Sequence, residues 1–331
     1  MNKKKMLPLA ASAGAILLLG GVLAALKLTA AEPETGIALW SIADPDTVSY
    51  SGNGLEVTLQ KGREGGWMLQ SDPTLPLNQT TVDTLAQNTA ALTAQRKLTG
   101  EDLTGLPDRQ QNPLMVFFLA SGEDSETLMV DSKNEMAGIY YVYDGEGSVY
   151  TVDTAAVEAL LKTPAALYQP QRLTDRSAEE VTAMTVNGVG FTKSEDVWTL
   201  DGDPDYALDQ DAVNKMARTV CELQTKWTIT APESEEMYGL DSADVEVLLT
   251  FADGTELQVE FGALKPEDET VCYLHAGTLP GQVQEVSAEH RSAYVFTKET
   301  LAAPEETSET AQDDIIAENP VGGINDYADS K

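Results

Sequence analysis

The sequence predicts an α+β protein: two homologous units in tandem, each of mostly antiparallel strands with two helices, preceded by one transmembrane helix. Three observations predict it. An uncharged stretch sits between lysines at the N-terminus, a pattern repeats at a spacing of 131 residues, and short strand-like runs are grouped apart from helix-like ones.

The N-terminal stretch comes first. Lys3, Lys4 and Lys5 precede 21 uncharged residues, Met6 to Leu26, and Lys27 closes the run. That length spans a bilayer and exceeds the apolar core of a secretory signal, about 7 to 15 residues, so an uncleaved anchor is expected. Thr29-Ala30-Ala31 is the alternative, a tolerable cleavage sequence. No cysteine follows the run, which excludes a lipoprotein. The lysines keep the N-terminus cytoplasmic and send the rest across the membrane. Gly14, Gly20 and Gly21 could admit a neighbouring membrane helix, although small residues are common in spans.

The exported part carries 17 basic and all 54 acidic residues, a net charge of −37. Such a surface repels phosphate backbones and excludes nucleic acid as a partner. Of 331 residues 42% are apolar, an ordinary globular balance; two cysteines rule out a disulfide-stapled miniprotein, and two histidines leave little for a His-based metal site.

The duplication then sets the plan. Trp67 returns as Trp198, Asp72-Pro73 as Asp203-Pro204, and the helix-cap residue Asn78 as Asp209, all 131 residues apart. After the caps, Val82, Leu85, Ala86, Thr89 and Leu92 match Val213, Met216, Ala217, Val220 and Leu223 at helical spacing. Gly105-Leu106 answers Gly239-Leu240, and Ser121-Gly122 answers Asp253-Gly254 as a hairpin turn.

Strands are expected first in each half, at 47–50, 55–60 and 67–69 and again at 183–186, 189–193 and 197–200. Four more follow each helix, at 114–120, 127–131, 139–143 and 149–152, and at 245–251, 256–261, 270–275 and 283–286. A short helix closes each half: Asp153 caps Ala156, Val157, Leu160 and Leu161, and Ser287 caps His290, Ala293, Tyr294 and Val295. The divisions are therefore 1–31 for the lysines and anchor, 38–168 and 171–301 for the repeats with Pro164 to Pro170 between them, and 302–331 for an acidic disordered tail.

Chemistry has few candidates. Asp201-Gly202-Asp203-Pro204-Asp205 with Asp209 and Asp211 looks like a calcium loop, but an EF-type loop needs Gly sixth and Glu twelfth, where this chain has Tyr206 and Ala212. The first half has only Asp72-Pro73 and Asn78 there, a turn and a cap. A His-based triad would need His275 or His290, whose counterparts are Tyr143 and Ala156. Cys221 and Cys272 fit no zinc spacing; an extracytoplasmic bridge between them is permitted, with two separately buried thiols as the commoner arrangement. Trp67 and Trp198 read as core rather than ligand platforms. No catalytic, cofactor-binding or metal residue is assigned.

The anchor, the Trp67-x-Leu69 strand, the Asn78-capped helix, Tyr238-Gly239-Leu240-Asp241, and the run from Tyr140-Tyr141-Val142-Tyr143 to Val149-Tyr150-Thr151-Val152 resemble the bacterial domain of unknown function 4340 over about residues 38 to 300. In the first half Leu106 is followed by Pro107, so the Gly-Leu-Asp pattern is intact only in the second. The resemblance implies a membrane-anchored extracytoplasmic protein, with some members similar to accessory components of ABC-type transport systems, and it carries over no catalytic residue. Two functions are expected to compete: a noncatalytic adaptor or accessory subunit bound to the bilayer through residues 6–26 and to a membrane-protein partner, and an anchored protein that binds or hydrolyses cell-envelope polymer.

Overall fold

The computed structural model describes residues 36–104, 106 and 112–304. The expected anchor, Gly105, Pro107 and the chain from Glu305 onward lie outside the described residues. Among the described residues no helix is long and apolar enough to cross a membrane.

The first half forms β1 (Ile37–Ala38), β2 (Thr47–Gly52), β3 (Leu55–Lys61), β4 (Trp67–Leu69), α1 (Gln79–Ala90), β5 (Thr93–Ala94) and β6 (Arg96–Leu98). It continues through β7 (Met115–Ser121), β8 (Asp124–Asn134), β9 (Ile139–Tyr143), β10 (Val149–Asp153), α2 (Thr154–Glu158) and α3 (Pro164–Leu167). The second half forms β11 (Val181–Val186), β12 (Val189–Ser194), β13 (Val197–Leu200), α4 (Gln210–Glu222), β14 (Trp227–Ile229) and α5 (Glu235–Tyr238). It ends with β15 (Val245–Phe251), β16 (Glu256–Lys265), β17 (Asp268–Ala276), β18 (Val283–Ser287) and α6 (Ala288–Ser292).

Each half holds one eight-stranded sheet, ordered β4-β3-β2-β7-β8-β9-β10-β6 and β13-β12-β11-β15-β16-β17-β18-β14. The two orders are the same walk through the chain, and every neighbouring pair is antiparallel. Hairpin chemistry explains the start of each sheet. Asn53 and Gly54 have φ of 52° and 79°, and Asn187 and Gly188 have 50° and 81°, the left-handed pair that a two-residue turn between right-twisting strands requires.

The long helix then leaves one edge of the sheet, and the chain re-enters at the opposite edge as β6 or β14, so the helix crosses one face. Val82, Leu85 and Ala86 of α1, and Val213, Met216, Ala217 and Val220 of α4, are buried on that face. Alternate residues of the strands meet them, such as Met115, Phe117 and Leu119 in β7 and Val245, Val247 and Leu249 in β15. Leu92 and Leu223, expected on the helix face, lie just past the helix ends and are still buried.

Several expectations need correction. Each half has a third short helix, α3 or α5, and the stretch from Pro164 expected only as a boundary begins as α3, with Thr163 as its cap. Strands β1, β5, β6 and β14 were not expected, because two or three residues show no period. Ser287 occupies the N-cap of α6 but makes no side-chain cap bond, whereas Asp153 accepts from Ala155 N and Ala156 N. Val295, expected on the last helix's apolar face, is 75% exposed, because α6 ends at Ser292.

The second half makes one turn with unsuited residues. Glu195 and Asp196, joining β12 to β13, have φ of 49° and 65°, a left-handed conformation that costs side-chain-bearing residues roughly 1 kcal/mol each. Replacing them as Glu195→Asn with Asp196→Gly should raise unfolding free energy by about 1 kcal/mol in denaturant titrations, and a loss would show that this turn is not strained.

Candidate functional site

Both halves repeat a constellation around the tryptophan of the edge strand. Gln79, the first residue of α1, accepts from Trp67 N at 2.6 Å and donates to Trp67 O at 3.1 Å. Gln210 treats Trp198 the same way, at 2.8 and 3.0 Å. A glutamine amide carries one donor face and one acceptor face, so it completes the edge strand's ladder as another strand would. The indole N–H groups donate to Asp83 at 2.6 Å and to Asn214 at 2.9 Å, one turn farther along each helix. Lys61 and Lys193 lie over the rings at 5.1 and 5.9 Å. Trp67 and Trp198 are buried in matching environments, as the duplication implied, and both are structural.

A second constellation joins the halves. Tyr168, after α3, has its hydroxyl 2.5 Å from Thr225 Oγ1 and 2.8 Å from Thr228 Oγ1. Thr228 donates to Gln284 Oε1 at 2.6 Å, and Gln171 N donates to Thr225 at 2.8 Å. With both ends fixed, the direction of every bond follows: Gln171 N–H to Thr225, Thr225 to Tyr168, Tyr168 to Thr228, Thr228 to Gln284. The Tyr168 ring lies 5.1 Å from that of Trp227, which packs on the first half's core, and Thr230 donates to Asp72 at 2.6 Å. Spacing gave no sign of this joint.

The candidate residues read from the sequence are dispersed. Asp201 accepts from Thr192 at 2.9 Å, Asp203 pairs with Lys298 at 2.7 Å, and Asp209 accepts from Asp211 N and Ala212 N as the cap of α4. Among the described residues no three His, Cys, Asp or Glu side chains are placed to hold a metal. Cys221 and Cys272 are free and buried, not bridged, and burial pushes each thiol up to about 11. His290 is half-buried in α6, and burial lowers its pKa.

His275 differs from the other candidates. Its Nδ1 is 3.4 Å from Glu260 Oε2, and the pair lines a cavity of about 180 Å³ with Glu233, Glu235, Tyr238 and Leu240. In the first half the facing pair is Met129 and Tyr143. The second half has thus put a carboxylate and an imidazole where the first has a thioether and a phenol. The substitution of His275 for Tyr143 was legible, whereas its meeting with Glu260 depends on strand register.

The fold and these constellations define a tandem-repeat protein whose repeat is an antiparallel eight-stranded sheet crossed by one helix. The chain belongs to the family described as Domain of unknown function (DUF4340), whose model matches residues 67–196 and 198–308. The two matches open on the equivalent residues Trp67 and Trp198, and the first runs on through β11 and β12, the opening hairpin of the second half. No curated protein and no solved structure matches the chain.

Gln210→Ala should lower stability by about 1 to 2 kcal/mol, because two bonds to the edge strand go with one side chain; an unchanged denaturation midpoint would show that the clamp contributes nothing. Tyr168→Phe breaks the buried relay in its middle. Calorimetry should show a loss of roughly 1 to 3 kcal/mol, and wild-type stability would mean the relay is not coupled to folding.

Proposed function

We propose that this protein is a noncatalytic, extracytoplasmic adaptor or accessory subunit, held to the cell membrane through residues 6–26 and bound there to a membrane-protein partner. One observation carries this reading: apart from His275, the main side chains with candidate chemistry are buried or engaged in structural contacts. In the acidic run Asp201 makes a strand contact, Asp203 an ion pair and Asp209 a helix cap, and both thiols are buried. The joint at Tyr168 ties the halves together, which suits presentation of surface rather than closure around substrate. The ABC-type transport systems implied by the family resemblance are the first partners to test.

A second reading, an anchored protein that binds or hydrolyses envelope polymer, is favoured by the His275–Glu260 pair in its small cavity. Restoring the first half's residues with His275→Tyr and Glu260→Met separates the two. Affinity purification of the tagged chain from cross-linked native membranes should recover integral membrane proteins with the wild type and with this double variant. Recovery should be lost when residues 6–26 are deleted. Recovery of the chain alone would overturn the adaptor reading, and loss of cellular function in a folded, membrane-bound double variant would favour the second.

A further inference from the structure

The halves share a topology but pack different side chains beside the rim strands β6 and β14. In the first half Tyr143 and Met129 close up with Leu98, Val149 and Leu106 in one cluster. Strand register makes His275, Glu260, Ile229 and Val283 the equivalents of Tyr143, Met129, Leu98 and Val149, and Leu240 answers Leu106. In the second half Ile229, Val283 and Leu240 stay clustered, joined by Tyr238 and Tyr273. His275 and Glu260 line the cavity of about 180 Å³ instead, room for roughly six waters. The hollow stands where the equivalent side chains of the first half pack together.

The groups around the cavity are complementary to one kind of ligand. Glu233, Glu235 and Glu260 line it, and among the described residues no lysine or arginine does. Glu260 accepts from Gln258 Nε2 at Oε1, at 2.8 Å, and has His275 Nδ1 3.4 Å from Oε2. Glu233 and Glu235 pair with no cation among the described residues. Tyr238 adds a donor. It is 9% exposed, and its hydroxyl accepts from Glu233 N at 3.3 Å. No acceptor among the described residues takes the phenol's own proton, so a buried donor on the cavity wall is left unspent, which buried polar groups seldom are.

We propose that this cavity binds a primary ammonium with a hydroxyl on the neighbouring carbon, the vicinal amino alcohol of an unacetylated amino sugar. The ammonium lies among the three carboxylates; the hydroxyl oxygen accepts from Tyr238, and its own proton goes to a glutamate. An ethanolamine headgroup carries the same pair, but beside a phosphate that these carboxylates repel, which favours the sugar. The proposal rests on the second reading above for the source of the sugar, an envelope polymer, and it needs no hydrolysis.

Calorimetric titration of the full-length chain in detergent micelles tests it, with glucosamine as the probe. Glucosamine should bind saturably, and N-acetylglucosamine and phosphoethanolamine about tenfold or more weakly. Glu260→Gln and Tyr238→Phe should each weaken glucosamine binding about fivefold or more, and His275→Tyr with Glu260→Met should abolish it. Glu64→Gln, at an exposed turn of the first half, removes the same charge and should change nothing. Failure of glucosamine to bind, equal binding of the N-acetylated sugar, or equal weakening by Glu64→Gln and Glu260→Gln would overturn the proposal. Binding of N-acetylglucosamine alone would overturn it while keeping the second reading. Glucosamine binding that the double variant loses without loss of cellular function would keep the amine site and remove the polymer role.

Discussion

The contact on which each half depends is the glutamine amide laid against the edge-strand tryptophan. An open sheet exposes unpaired N–H and C=O groups along its outer strands, which is both a stability cost and an invitation to pair with another chain. In β4 and β13 these groups meet a side chain that carries both partners. Because that glutamine is the first residue of the long helix, the same two bonds fix where the helix begins. The indole, donating to the next turn, then sets the direction in which the helix crosses the sheet.

Once the helix path is fixed, the rest of the topology follows. The chain must come back at the far edge before it can enter the centre of the sheet, which is why β6 and β14 precede β7 and β15 in sequence yet lie at the rim. The ends of the halves close in equivalent ways: Asn78 N donates to Leu167 O and Asp209 N to Leu301 O, both at 2.8 Å. The rim strands diverge. β14 receives Tyr168 from the first half, whereas β6 presents Arg96 and Lys97.

Divergence inside the shared frame shows how a duplicated fold gains variety at little cost to packing. Both sheets are irregular after the same ladder position, Val130 in β8 and Phe261 in β16. In the first half Asp131 follows, buried, its carboxylate accepting from Ser132 at 2.7 Å. In the second half Gly262 follows, and a Cβ there would come within 2.2 Å of Tyr238 O. The missing side chain is what lets the turn through Gly239, at φ 64°, pack onto the strand. Tyr238 and Leu240 then border the cavity that His275 and Glu260 line, so one glycine helps to shape that cavity.

The sequence by itself determined the duplication, the antiparallel class, the long helices and most strands, because caps, Asn-Gly turns and alternating apolar residues act over a few neighbours. Trp67–Leu69, Val197–Leu200, Ile139–Tyr143 and Val245–Phe251 were legible to the residue. The caps at Asn78 and Asp209 were legible too, since each stands at the same place in its half. Tertiary structure alone decided the rim strands, the glutamine clamp, the Tyr168 relay and the meeting of His275 with Glu260. The physical reason is separation along the chain: Tyr168 and Thr228 are 60 residues apart, and Glu260 faces His275 only through the register of β16 on β17. Local periodicity specifies which face of an element is buried, but not which neighbour it is buried against.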